Sequence, residues 1–204
     1  MTHSFPTTAL LVIDMQQGMA DRTRAGRPRA NPQAESHVAA LIALFRARGL
    51  PVVHVLHDDP DPTSPFRKGV AMGEPMACAM PAPGETVLWK HDSSAFAGTG
   101  LEAHLRQAGI ARIVLVGAVA GFCITSTTRW ASDRGFTVIL PGDALIGFDL
   151  PAHAPKVPGE RIDAETVLRV TLSLLGADFA EVVSAAAVAG LIGAATVPDA
   201  ATIP

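Results

Sequence analysis

Apolar positions along the chain follow two rhythms. Continuous apolar runs cover residues 9–14, Val52–His57, 113–117, 137–140 and 181–184, with a shorter one at 87–89. Runs of that length without polar alternation predict strands covered on both faces. Between them, apolar residues return at helical spacing. Val38, Leu41, Ile42 and Phe45 share one face, as do Leu101, Leu105 and Ala108, and likewise Val167, Leu168, Thr171, Leu172 and Leu175. Gly49, Gly109, Gly135 and Gly176 each stand where a helical pattern stops and an apolar run follows, the place for a left-handed C-cap. At the starts, Asn31 followed by Pro32 reads as a cap with proline at the first helical position, Thr99 to Glu102 as a capping box, and Asp163 as a cap. Such short helix-to-strand joints predict βαβ units, a parallel sheet and one α/β domain over residues 1–204, with its core at about 7–190.

Residues 58–85 break both rhythms. They are rich in Pro, Gly and Met and predict a long loop with one helical turn, serving as a lid or a subunit contact. The Ala- and Gly-rich stretch 185–197 is too short to span a membrane and predicts a packed terminal helix.

Composition narrows the function. Hydrophobic residues make up 49% of the 204, which suits a sheet buried on both faces or a surface covered in a homo-oligomer. A net charge of -3 with no charged run argues against nucleic acid and anionic membranes. With 5% aromatics and no tyrosine, a base-stacking platform is not expected either. No Gly-x-Gly-x-x-Gly follows the first strand, so dinucleotide binding is not expected. The two cysteines, Cys78 and Cys123, have neither disulfide-framework nor zinc spacing, and residues 1–8 lack the basic-then-apolar pattern of a secretion signal. A reducing, cytoplasmic setting is expected.

Ligands of open parallel sheets bind at the carboxyl ends of strands, and three reactive residues fall there. Asp14 closes the first run, Lys90 follows the run at 87–89, and Cys123 lies beyond 113–117 where a helix begins. A thiol is a weak nucleophile until deprotonated. A helix N-terminus and a nearby ammonium favour thiolate, and a carboxylate in reach can take the proton and pass it to a leaving group. Backbone N–H groups at the helix start can hold an oxyanion.

The segments Ala9-Leu-Leu-Val-Ile-Asp14-Met-Gln16, Lys90-His-Asp-Ser-Ser-Ala-Phe96 and Leu115-Val-Gly-Ala-Val-Ala-Gly-Phe-Cys123 resemble, in order and spacing, the isochorismatase-like cysteine hydrolase superfamily. That family includes nicotinamidases, N-carbamoylsarcosine amidases and isochorismatases. The resemblance implies a three-layer αβα fold with a six-stranded parallel sheet in the order 3-2-1-4-5-6. It implies Asp14 as general base and acid, Lys90 as the triad lysine and Cys123 as nucleophile. It also implies a cis peptide at Val119–Ala120, which would turn the N–H of Ala120 toward that of Cys123 as an oxyanion hole. Ala120 and Gly121 stand where many members carry Thr-Asp or Thr-Asn, which weakens the side-chain support of that bond. Nicotinamidases hold a metal after the second strand. Here His54 and His57, three apart, face opposite ways on a strand, so no metal and no cofactor are expected.

Isochorismatases that cleave a vinyl ether often lack the cysteine, so Cys123 favours C–N hydrolysis of a small amide, ureido or carbamoyl substrate through a thioester. The alternatives are enol-ether hydrolysis with Asp14 as acid, and a catalytically inactive small-molecule-binding relative. Gln16, His57, Phe96, Phe122 and Phe148 are the candidate pocket residues.

Overall fold

The structure, a computed structural model, describes residues 7–153 and 159–193. Six parallel strands form the central sheet: β1 (Thr8–Ile13), β2 (Val52–His57), β3 (Thr86–Lys90), β4 (Arg112–Ala118), β5 (Thr137–Pro141) and β6 (Glu181–Val183), in the order β6-β5-β4-β1-β2-β3. That is the expected 3-2-1-4-5-6 order read from the other edge. Every residue of β1 is buried. Leu10 and Val12 belong to the core on one side of the sheet, and Ala9, Leu11 and Ile13 to the core on the other. This double burial is why the strand reads as a continuous apolar run.

Helices α1 (Gln17–Arg24), α2 (Ala34–Ala47), α3 (Leu101–Gln107), α4 (Thr125–Asp133), α5 (Ala164–Asp178) and α6 (Val188–Leu191) cover the sheet. The predicted stripe of α2 is wholly buried on the first side, with Met19 of α1 and Val188 of α6. Leu101 and Leu105 of α3, Ala131 of α4, and Leu168 and Leu175 of α5 occupy the second. Ala108 lies past the end of α3 and is exposed.

Several local readings are corrected. The sheet has eight strands, because Leu145–Phe148 returns beside the end of β4, pairing Gly117 with Leu145, and Arg29–Ala30 pairs antiparallel with it. Asn31 is not a cap. It has φ +53, its amide donates to the carbonyls of Gly142 and Leu145, and α2 starts three residues later. Thr99 Oγ1 accepts the Leu101 N–H at 3.2 Å, but Glu102 binds Arg134 instead of reaching back, so the capping box is not completed. Gly176 lies inside α5, whereas Gly49, Gly109 and Gly135 have the positive φ of C-caps. Asp163 does cap, accepting from the Thr166 N–H at 2.9 Å. Residues 58–85 hold two 3-10 turns, Ala71–Gly73 and Ala77–Ala79. Of the stretch 185–197, residues 185–191 form a 3-10 turn and α6, while 194–197 lie outside the described residues. Among the described residues no helix is long and apolar enough to cross a membrane.

Candidate active site

The carboxyl ends of β1, β3 and β4 bring the reactive residues together. Asp14 follows β1 at φ +49, and its N–H is held by the Val55 carbonyl of β2 at 2.8 Å. Lys90 is the last residue of β3, in register with His57 of β2. Its buried side chain reaches past β2, so that Nζ lies 2.9 Å from Asp14 Oδ2 and 3.3 Å from Cys123 Sγ. Nζ also meets the Asp92 carbonyl at 3.1 Å and His57 Nδ1 at 3.2 Å. An ammonium has three protons, so four acceptors compete for them. His57 can accept only through an unprotonated Nδ1. Burial, and then the Lys90 charge, lower its pKa, which keeps the ring neutral.

The thiol of Cys123 is pushed up to about 11, first by burial and next by the Asp14 charge, with Lys90 pulling the other way. The helix start and the ammonium, expected to favour thiolate, are thus outweighed. The Cys123 side chain is partly buried, and its desolvation exceeds both. Cys123 rests as a thiol beside Asp14, whose buried Oδ1 has no hydrogen-bond partner among the described residues.

The non-proline cis bond joins Ala118 to Val119, one position before the expected Val119–Ala120. β4 extends one residue further than predicted, through Ala118, so the turn begins at Val119. A wide π-helical turn, Ala120–Ile124, leads into α4. Ala120 is fully buried and its carbonyl accepts from Thr125 Oγ1, so it is Val119 that reaches the cavity wall beside Cys123.

That cavity measures about 220 Å³. Asp14, Cys123, Val119, Phe122 and His57 form its reactive side. Met19 and Arg22 of α1 and Asp59 and Phe66 of the loop form the other. His54 takes no part; its Nε2 meets Glu85 at 2.9 Å. Among the described residues no group of three or more His, Cys, Asp or Glu side chains is placed to hold a metal.

The isochorismatase domain profile matches residues 8–156. The chain belongs to the isochorismatase family of hydrolases. The secreted isochorismatase effector Isc1 of Verticillium dahliae is 31% identical over 189 residues, 90% of each chain. A streptothricin hydrolase of Streptomyces noursei is 32% identical over 90% of this chain and 71% of its own. A crystal structure from Chromobacterium violaceum, of an isochorismatase-family protein, superposes with a TM-score of 0.85 at 36% identity, covering 94% of this chain and 96% of that one.

In this isochorismatase-family chain the candidate pocket residues separate into two groups. His57 and Phe122 line the cavity; Phe122 is half exposed at its edge. Gln16, Phe96 and Phe148 do not line it. Gln16 is fully buried as a bracket: Nε2 donates to the carbonyls of His57 and Gly73, and Oε1 accepts the His57 N–H. Phe96 packs against Phe136, and Phe148 lies buried under Arg27. Met19, Arg22, Asp59 and Phe66 were missed, and Val119 was named only for the cis bond. Met19 and Arg22 share a helix face at three-residue spacing, and Phe66 is the lone aromatic of the 58–85 loop, which were the available signals.

Proposed function

We propose that this chain hydrolyses a C–N bond of a small amide, ureido or carbamoyl compound through a thioester on Cys123. The observation that carries the proposal is the Lys90 ammonium, 2.9 Å from Asp14 and 3.3 Å from Cys123 on the margin of an open cavity. Asp14 takes the thiol proton as sulfur bonds to the substrate carbonyl carbon. The resulting oxyanion rests on the N–H groups of Val119 and Cys123. Asp14 returns the proton to the leaving nitrogen as the C–N bond breaks, leaving the thioester and free amine. Water, deprotonated by the same carboxylate, then attacks the thioester, and the acid departs as the thiol is restored. Lys90 holds Asp14 in place and offsets its charge.

A thiol with so high a pKa suits this scheme, because the proton moves only as the bond forms and no thiolate stands open to side reactions. Exposed Val170 and Leu174 of α5 and Val182 of β6 support self-association as a homo-oligomer. The unpaired Cys78 and Cys123 support a reducing, cytoplasmic setting.

The test is a panel of small amides, ureido acids and carbamoyl compounds scored by release of ammonia or amine. Turnover of at least one compound is expected, together with its loss in Cys123→Ala at unchanged fold. Full activity in Cys123→Ala would overturn the covalent route and favour an acid role for Asp14 on an ether substrate. Tight binding across the panel without turnover would favour a binding protein.

A further inference from the structure

We propose that Arg22 recognises a carboxylate on the substrate, so that the compounds cleaved are short amido or ureido acids rather than neutral amides. The proposal rests on the amidase reading of the cavity and adds to it the chemical class of the substrate.

Arg22 lies one helical turn beyond Met19 on α1 and lines the same cavity as Asp14 and Cys123. Its guanidinium stands 4.8 Å above the centre of the Phe66 ring, so the planar group is held from one side by an aromatic face. Gly18 makes this stack possible. A Cβ there would come within 2.8 Å of the Phe66 ring.

The neighbouring arginines already have carboxylate partners. Arg24 pairs with Asp21, Arg27 with Asp149 at 3.3 Å, and Arg29 with Glu35 at 2.7 Å. Among the described residues Arg22 has no hydrogen-bond acceptor and no ion pair, although it is partly buried and feels the charge of Arg27. A desolvated cation with its N–H fork unused, next to a second cation, has an unmet need for an anion.

The carboxylates nearby do not meet it. Asp14 is bound to Lys90. Asp59 lines the cavity, but it accepts the N–H of Asp61 within its own turn and makes no ion pair with Arg22. The cavity walls therefore carry two carboxylates against Arg22 and the Lys90 ammonium behind them, with no excess positive field to draw anions in. A preference for acids would have to come from Arg22 itself.

The geometry fixes the rest of the ligand. A bidentate fork on a carboxylate sets one end, and sulfur at the carbonyl sets the other. Met19 and Phe66 offer apolar contact to the chain between them. At about 220 Å³ the space is below the usual range for drug-sized ligands, so the connecting chain is short.

The test uses the full chain carrying Cys123→Ala, which removes the reacting sulfur. Calorimetry at neutral pH compares the monoamides malonamate, succinamate, glutaramate and adipamate with the corresponding neutral diamides. At least one acid is expected to bind tenfold or more tighter than its diamide. Adding Arg22→Gln is expected to bring that pair within twofold, while Arg22→Lys, which keeps charge but not the fork, retains an intermediate preference. The proposal is overturned if every acid binds within twofold of its diamide, or if the preference survives Arg22→Gln. If Arg22→Gln does not fold, Arg22→Lys decides: a preference undiminished there overturns the proposal, and a drop of threefold or more supports it. Turnover plays no part in this measurement. A native enzyme that released no ammonia would overturn the amidase reading and leave the binding result standing.

Discussion

Replacing Asp14 with Asn should make Cys123 easier to alkylate while making the enzyme far slower. The carboxylate has two opposed effects on the sulfur. In the proposed mechanism it receives the thiol proton during attack, and at rest its charge raises the thiol pKa. Asp14 Oδ2 is 2.9 Å from Lys90 Nζ, which is 3.3 Å from Sγ, so the carboxylate oxygen lies at most about 6 Å from sulfur. At that separation and an effective dielectric of about 20, the repulsion between carboxylate and thiolate is about 2.8 kcal/mol, or about two pKa units. Removing it takes the thiol from about 11 to near ~9. At pH 7.5 the thiolate fraction then rises about a hundredfold, and the weaker nucleophile gives back about tenfold. The net expectation is iodoacetamide labelling of Cys123 about tenfold faster in Asp14→Asn, with turnover down by about 10²–10⁴. Mass spectrometry of the Cys123 peptide reads the rate, and Cys78 in the same sample is the internal reference. Equal or slower labelling in the variant would refute the claim that Asp14 holds the proton on sulfur.

Gln16→Leu removes the bracket and leaves the His57 N–H and the His57 and Gly73 carbonyls without their partner; a loss of about 3 kcal/mol in urea unfolding is expected, and less than about 1 kcal/mol would count against it. Gly117→Ala places a Cβ 2.1 Å from the Ile13 carbonyl oxygen at φ +118, where neither backbone can give way, so a loss above about 3 kcal/mol or insoluble protein is expected and a near-native melting temperature would refute the clash. Glu85 is held at about 2, chiefly by Arg46; its stabilisation is complete above the unfolded value of about 4.3 and fades as pH falls toward 2, so Glu85→Gln should flatten the acid limb of stability in that window, and an unchanged slope would exclude it.

The inner strands were readable because burial on both sides leaves a continuous apolar run, as in β1, whereas the order of the sheet came with the family resemblance. Local punctuation was less reliable wherever a distant partner outbid the local one. Asn31 spends its amide on two carbonyls more than a hundred residues away, so its place before Pro32 says nothing about a cap. Gly176 is small for another reason: a Cβ there would stand 3.1 Å from Val182 of β6, so the glycine admits the edge strand rather than ending the helix. The meeting of Asp14, Lys90 and Cys123 followed from strand ends alone. The opposite wall did not, because Asp59 and Phe66 reach the cavity only through the path of a loop whose sequence has no period, and Arg22 sits on α1, a short helix the apolar spacing did not announce. The protonation of Cys123 was also out of reach, since it depends on burial, which the position of a cysteine at a helix start does not reveal.

The loop and the reacting groups form one connected system rather than two neighbours. The loop is fastened to the segment after Asp14 by the Gln17 N–H on the Glu74 carbonyl and the Met76 N–H on the Met15 carbonyl, each at 2.8 Å. Gln16, between those two residues, holds both Gly73 of the loop and the main chain of His57. His57 in turn offers Nδ1 to Lys90, competing with Cys123 for one of its three protons. Gln16 and His57 thus form a continuous chain of hydrogen bonds from the loop to the ammonium that touches sulfur. It follows that a ligand seated against Phe66 and Arg22 acts on the same bonds that set how Lys90 divides its protons. On the proposed reading, the wall that would select the substrate and the group that would tune the nucleophile are joined by a single bracket.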